Sequence, residues 1–167
     1  MGQSQPYARG NPKCEDMPTD GMTNGTQKSA GEGLTDALEM RLPAKGEYLP
    51  VVRAAIGVIA GGMDFNYDEI VQLRVAISEA FELAVKRASL RSRSSASMEV
   101  AVRITVELDR LEIVIPKTRD MESRLSLDDE MESEALLKSL MDEVEIDGEA
   151  GTDALVRMIK YKTAVQT

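Results

Sequence analysis

The chain has 167 residues with 20 Lys+Arg against 29 Asp+Glu, a net charge of −9; that is one domain's worth of chain and a poor match for nucleic acid or an anionic membrane face. It contains no His, no Trp and a single Cys, Cys14, which excludes Ser-His and Cys-His dyads, His-ligated zinc or haem, thiolate clusters and intramolecular disulfides. No metal site is therefore expected, and the lone thiol suits a reducing cytoplasm.

Residues 1–33 hold six of the 12 glycines and three of the six prolines, with sparse, aperiodic apolar residues. Such a stretch buries too little surface to offset its ordering entropy and reads as a flexible N-terminal tail carrying Cys14. The domain is expected over residues 34–167. Ala37 to Leu42 alternates weakly before Pro43, a short edge strand. Glu47 to Ala60 repeats apolar residues at helical spacing, with Val51, Ala54, Ala55, Val58 and Ile59 as the expected buried stripe and Gly61-Gly62 as the stop. The longest run of apolar residues and glycine, Ala54 to Met63, is about half of what crosses a bilayer, so no membrane partner is expected.

A second helix starts near Tyr67, capped by Asn66 or Asp64, with Asp68 and Glu69 at its dipole-favoured end and Ile70, Leu73, Ile77, Ala80, Phe81, Ala84 and Ala88 as its core face. Met98 to Leu108 alternates strictly, the signature of a half-buried antiparallel strand, and Asp109-Arg110 turns it into a partner strand, Leu111 to Ile115. Lys117 to Asp129 reads as loop. Leu136, Leu137, Leu140 and Met141 mark a third helix, and strands Val144 to Ile146 and Ala154 to Tyr161 follow. Strands backed by helices on one face predict a two-layer α+β sandwich with a mixed, mostly antiparallel sheet.

Five segments in this order resemble the bacterial anti-sigma factor serine kinases, the RsbW-type switch kinases of the GHKL (histidine-kinase-like) ATPase superfamily. They are Leu42-Pro43-Ala44-Lys45 with Tyr48, Val51, Val52 and Arg53; Val75-Ala76-Ile77-Ser78-Glu79-Ala80; Leu111 to Ile115; Leu140-Met141-Asp142-Glu143-Val144; and Gly151-Thr152 with Met158, Lys160 and Tyr161. The resemblance implies the superfamily's fold, ATP and Mg²⁺ as cofactors, homodimers, and protein partners of two kinds: sigma factors and small STAS-fold antagonists.

Position by position, the family's nucleotide elements are replaced. Its N-box pairs a glutamate that activates a substrate serine with an asparagine that helps hold Mg²⁺. The glutamate is present as Glu79, but Leu83 stands four residues on, and leucine has no oxygen for magnesium. The adenine-reading Asp-x-Gly aligns with Lys117, Thr118 and Arg119, which substitutes a cation for the acceptor and a bulky side chain for glycine. The phosphate-cradling Gly-x-Gly aligns with Met131 and Ser133, among Asp129, Glu130, Glu132 and Glu134. No glycine occurs from Met63 to Asp147, where close backbone approach to phosphate needs it. The expectation is a retained scaffold without the ATP site and without a bound cofactor.

Each of these residues has more than one reading. Glu79, off the core stripe, is an exposed helix carboxylate paired with a nearby cation, a retained general base, or a partner contact. Leu83 and Val75, with Met131 and Met121, fill the former cavity, line an apolar pocket or face a protein partner. Lys86, Arg87, Arg91 and Arg93 read as a solvated helix end rather than a nucleic-acid patch. The twelve acids between Asp120 and Glu149 are a solvated surface or a docking face for a basic segment. Three functions follow: a partner-sequestering regulator, an active protein serine kinase, or a scaffold on a reused fold.

Overall fold

The computed structural model describes residues 35–91, 98–118, 127–148 and 153–163. The expected tail, Cys14, Arg91 and Arg93 as side chains, Arg119, Met121 and the Gly151-Thr152 pair lie outside the described residues. Five strands, β1 (Asp36–Pro43), β2 (Glu99–Val106), β3 (Arg110–Pro116), β4 (Glu143–Ile146) and β5 (Ala154–Tyr161), make one sheet in the order β1-β2-β3-β5-β4. Every pairing among them is antiparallel, so the expected mixed sheet is corrected to a uniform one. The register shows why: Pro43 lies opposite Glu99, so the two helices between β1 and β2 return the chain to the end of the sheet it left. An antiparallel neighbour requires that return.

Alternation decides the two faces. Val100, Val102 and Ile104 of β2, Leu111, Ile113 and Ile115 of β3, and Val156 and Met158 of β5 are buried in one core with the helices. The opposite face carries crossed charge pairs, Arg103 on Glu39 at 2.9 Å and Arg157 on Glu112 at 2.5 Å. The result is the expected two-layer α+β sandwich, with helices α1 (Leu49–Gly62), α2 (Tyr67–Arg91) and α3 (Leu127–Leu140) sharing the apolar side.

α1 follows a 3-10 turn, Gly46–Tyr48, with Pro50 tolerated in its first turn. Its buried stripe differs from the expected one: Val52, Ile56 and Ala60 are buried, while Val51 and Val58 are 48% and 76% exposed. Apolar residues run all round this helix, so periodicity admits two stripes. Packing takes the one carrying Ile56 and lets Gly57 face α2, where Arg74 approaches to 3.6 Å of the place a Cβ would occupy. Gly61 and Gly62 extend the helix rather than stopping it.

α2 opens with a capping box. Asn66 Oδ1 accepts from the Glu69 amide at 2.9 Å, and Glu69 Oε2 accepts from the Asn66 amide at 2.8 Å. The other oxygen of Glu69 accepts from the amide and hydroxyl of Thr163, fastening the end of β5 to the start of α2. Burial disfavours the Glu69 charge, but the Thr163 hydroxyl and the Asn66 and Thr163 amides outweigh it and hold the carboxyl below its ordinary range. α3 starts at Leu127, inside the stretch expected to be loop.

Candidate functional site

Glu79, Leu83 and Arg87 stand at i, i+4 and i+8 on α2 and so form one row along the helix. α3 lies against this row. The Ser133 hydroxyl donates to Glu79 Oε1 at 2.6 Å, and one turn earlier on the same face Glu130 Oε1 accepts from Arg87 Nη2 at 2.7 Å. Glu79 is thus half-buried and held by a hydroxyl, not an exposed carboxylate held by a cation. Leu83, between the two contacts, is 1% exposed and belongs to the hydrophobic core.

Arg87 is the largest departure from the sequence reading. It is 2% exposed rather than part of a solvated helix end. Its Nη1 and Nη2 donate to the two carboxylate oxygens of Asp147, each at 2.8 Å, the planar fork-to-fork pairing that a guanidinium favours. Lys117 Nζ sits 3.3 Å from Asp147 Oδ1, so four elements converge: α2, α3, the end of β3 and the end of β4. The Arg87 hydrogen bonds, then Lys117, hold the Asp147 carboxyl below its ordinary range against partial burial. Arg87 Nε is buried without a partner among the described residues. Asp147 itself takes a left-handed φ of 54°, which Asp tolerates better than most side chains.

The remaining aligned positions are placed as follows. Lys117 is in this ion cluster, and its amide donates to the Asp153 carbonyl at 2.6 Å. Ser133 is buried on Glu79. Met131 is 67% exposed, so it does not fill the space beside Leu83. Met131 and Ser133 are the fifth and seventh residues of α3. Only the first four amides of a helix lack an intrahelical acceptor, so the amides of these two residues belong to the helix ladder.

A concavity of about 450 Å³ lies between α1 and α2, lined by Arg53, Val71, Arg74, Val75, Ser78, Glu79 and Glu82. Arg53 Nε donates to Ser78 Oγ at 2.5 Å, and that hydroxyl donates to the Arg74 carbonyl at 2.7 Å. Arg41, Arg87, Arg103, Arg110 and Arg157 are all paired with carboxylates. Among the described residues Arg53 and Arg74 are the arginines without one, and both line this groove. In the sequence Arg53 stands only as part of a family-like segment, and no motif marks Arg74. Their signal is two cations in helices that pack together, visible only once the α1 face is known. Among the described residues no helix is long and apolar enough to cross a membrane.

No family model matches the chain. Serine-protein kinase RsbW of Bacillus pumilus is 34% identical over 142 residues, covering 75% of this chain and 86% of that protein. Serine-protein kinase RsbW of Bacillus subtilis is 31% identical over the same coverage of each. Among solved structures, the RsbU and RsbW domains of Rv1364c from Mycobacterium tuberculosis align with a TM-score of 0.50 at 18% identity, covering 76% of this chain and 32% of that one; at this identity the likeness bears on the fold. The antiparallel sheet backed by helices on one face and the two relatives matched along most of their length lead to one conclusion: the chain belongs to the RsbW family of serine-protein kinases.

Proposed function

We propose that this chain is an anti-sigma-type regulator that works by binding a protein partner, a sigma factor or a STAS-fold antagonist, and does so without nucleotide. The observation that carries the reading is the start of α3 at Leu127. A phosphate cradle needs free amides at positions 131 and 133, and in a helix begun four residues earlier those amides are spent. The residues at the other aligned positions do not fit a magnesium–triphosphate group either. Leu83 offers no oxygen and is core, Lys117 is a cation pledged to Asp147, and Glu79 is occupied by Ser133.

The α1–α2 groove supports the binding half of the reading. It sets Arg53 and Arg74, neither in an ion pair, beside the exposed Val71 and Val75 and the carboxylates of Glu79 and Glu82, a combination suited to a partner segment with charged and apolar residues. The test is the affinity of the purified chain for its co-encoded sigma factor or antagonist with and without Mg-ATP. The expected outcome is one affinity, within about twofold, under both conditions, falling roughly tenfold for Arg53→Ala with Arg74→Ala. Phosphate transfer to the antagonist, or affinity that depends on nucleotide, overturns the reading.

A further inference from the structure

Asp147 is followed by Gly148, and an Asp-Gly pair carries chemistry of its own. Glycine has no Cβ to shield its amide, so that nitrogen is well suited to attack the side-chain carbon of a preceding aspartate. With the carboxyl in its neutral form, the Gly148 nitrogen adds to Cγ of Asp147. The N–Cγ bond forms, the amide proton and the carboxyl hydroxyl leave as water, and a five-membered imide closes. Water then opens the ring at either carbonyl. Opening at Cγ restores aspartate; opening at the main-chain carbonyl leaves isoaspartate, with the chain running through Cβ and Cγ and the free carboxylate on Cα. The net change is an isomerisation, and no oxidant or co-reactant enters it. The step requires a neutral carboxyl with an oxygen free to depart, because an ionised carboxylate is a poor electrophile.

The folded chain withholds both requirements. Arg87 Nη1 and Nη2 donate to Oδ1 and Oδ2 of Asp147 at 2.8 Å each, and Lys117 Nζ stands 3.3 Å from Oδ1, so each oxygen is engaged by a cation. These partners favour the ionised form and fix the carboxylate in one orientation. The Asp147 amide donates to the Leu155 carbonyl at 2.8 Å, which ties the same residue to β5. The Arg87 side chain is 2% exposed, yet that of Asp147 is 24% exposed, so water for hydrolysis is at hand once the clamp lets go. We propose that Asp147-Gly148 is a self-modification site, an isoaspartate-forming bond that the Arg87–Lys117 clamp keeps closed and that reacts when the clamp opens. The product cannot re-form what it left: isoaspartate adds one carbon to the backbone and moves the carboxylate to Cα, away from the position that meets the guanidinium fork. The cluster joining α2 to the ends of β3 and β4 thereby also guards the covalent chain. This goes beyond partner binding and involves no nucleotide.

The test is to incubate the full chain at neutral pH, digest it and map isoaspartate at residue 147, with a synthetic peptide of residues 143–151 as the unrestrained reference. Each unit by which a carboxyl is held below its ordinary value cuts its neutral fraction tenfold, so the folded chain is expected to react at least about tenfold more slowly than the peptide. In concentrated urea the clamp is gone, and the chain and the peptide are expected to agree within about twofold. The chain's other Asp-Gly pair, Asp20-Gly21, shows in the urea digest that isoaspartate is being detected. Under folding conditions Arg87→Met speeds the reaction at residue 147 about tenfold and Lys117→Met about twofold. If Arg87→Met does not fold, Lys117→Met decides, because its side chain is 35% exposed and its loss leaves the Arg87 fork in place. Reaction of the folded wild-type chain at the peptide's rate overturns the proposal. So does a folded variant that reacts no faster than wild type, since protection then comes from elsewhere in the fold. Neither result bears on Mg-ATP or on partner affinity, so this inference and the proposed function fail separately.

Discussion

α2 presents two faces that are closed in opposite ways. Toward the sheet and α1 it offers Leu73, Ile77, Ala80, Phe81, Ala84 and Ala88, an apolar stripe that needs only other apolar surface. Toward α3 and the ends of β3 and β4 it offers Glu79, Leu83 and Arg87, whose polar ends need particular partners: Ser133, Glu130 and Asp147, each distant in sequence. The first face tolerates any well-packed neighbour, and the second specifies one arrangement. On the second face the protein supplies from its own α3, as Ser133 and Glu130, what Glu79 and Arg87 contact.

The comparison breaks hardest on the apolar face. Phe81 is fully buried, and Phe81→Ala is expected to cost about 4 kcal/mol in urea unfolding, the usual cost of an aromatic cavity. On the polar face, Arg87→Met keeps the stem but leaves Asp147 with Lys117 and takes the guanidinium from Glu130, at an expected cost of about 3 kcal/mol. A cycle with Asp147→Asn should recover much of that loss, since the charge that lost its guanidinium is then absent. If Arg87→Met proves neutral, the cluster has no part in holding the two layers together.

Those two faces were not equally legible. The core stripe of α2 and the inward residues of β2 follow from periods of 3.6 and 2, and both were read from sequence. The stripe of α1 was not, because a helix that is apolar all round carries two equivalent patterns, and the neighbour chooses between them. Arg87 was misplaced for a different reason. A cation near a helix C-terminus normally reaches solvent, and its counterions lie 43 and 60 residues away. The concentration of acids between Asp120 and Glu149 held the clue, because two of them, Glu130 and Asp147, are internal partners rather than surface charge. The start of α3 was missed because its first residues carry little apolar pattern, and polar contacts with α2, which no window of sequence reports, hold that turn.

Acid sharpens the comparison. Asp147 has a lowered pKa, so its contribution is complete above the unfolded carboxyl value of about 3.9 and is lost as pH falls through the lower folded value. Glu69 acts in the same sense. Stability is therefore expected to hold from neutral pH to about pH 5 and to fall below about pH 4, with a shallower fall in Arg87→Met, where Lys117 alone still lowers the Asp147 value. An equal acid slope in both proteins would remove Arg87 as the cause. The smallest effect is Ser133→Ala, about 1 kcal/mol for one hydroxyl–carboxylate bond, read as a small change in the urea midpoint.

The central claim, that this member of the family keeps the scaffold and binds its partner without nucleotide, is tested most directly by calorimetric titration of the full chain with Mg-ATP. The account predicts no saturable binding, with any dissociation constant weaker than about 1 mM. A saturable site with a dissociation constant in the micromolar range, of order −8 kcal/mol, would contradict it.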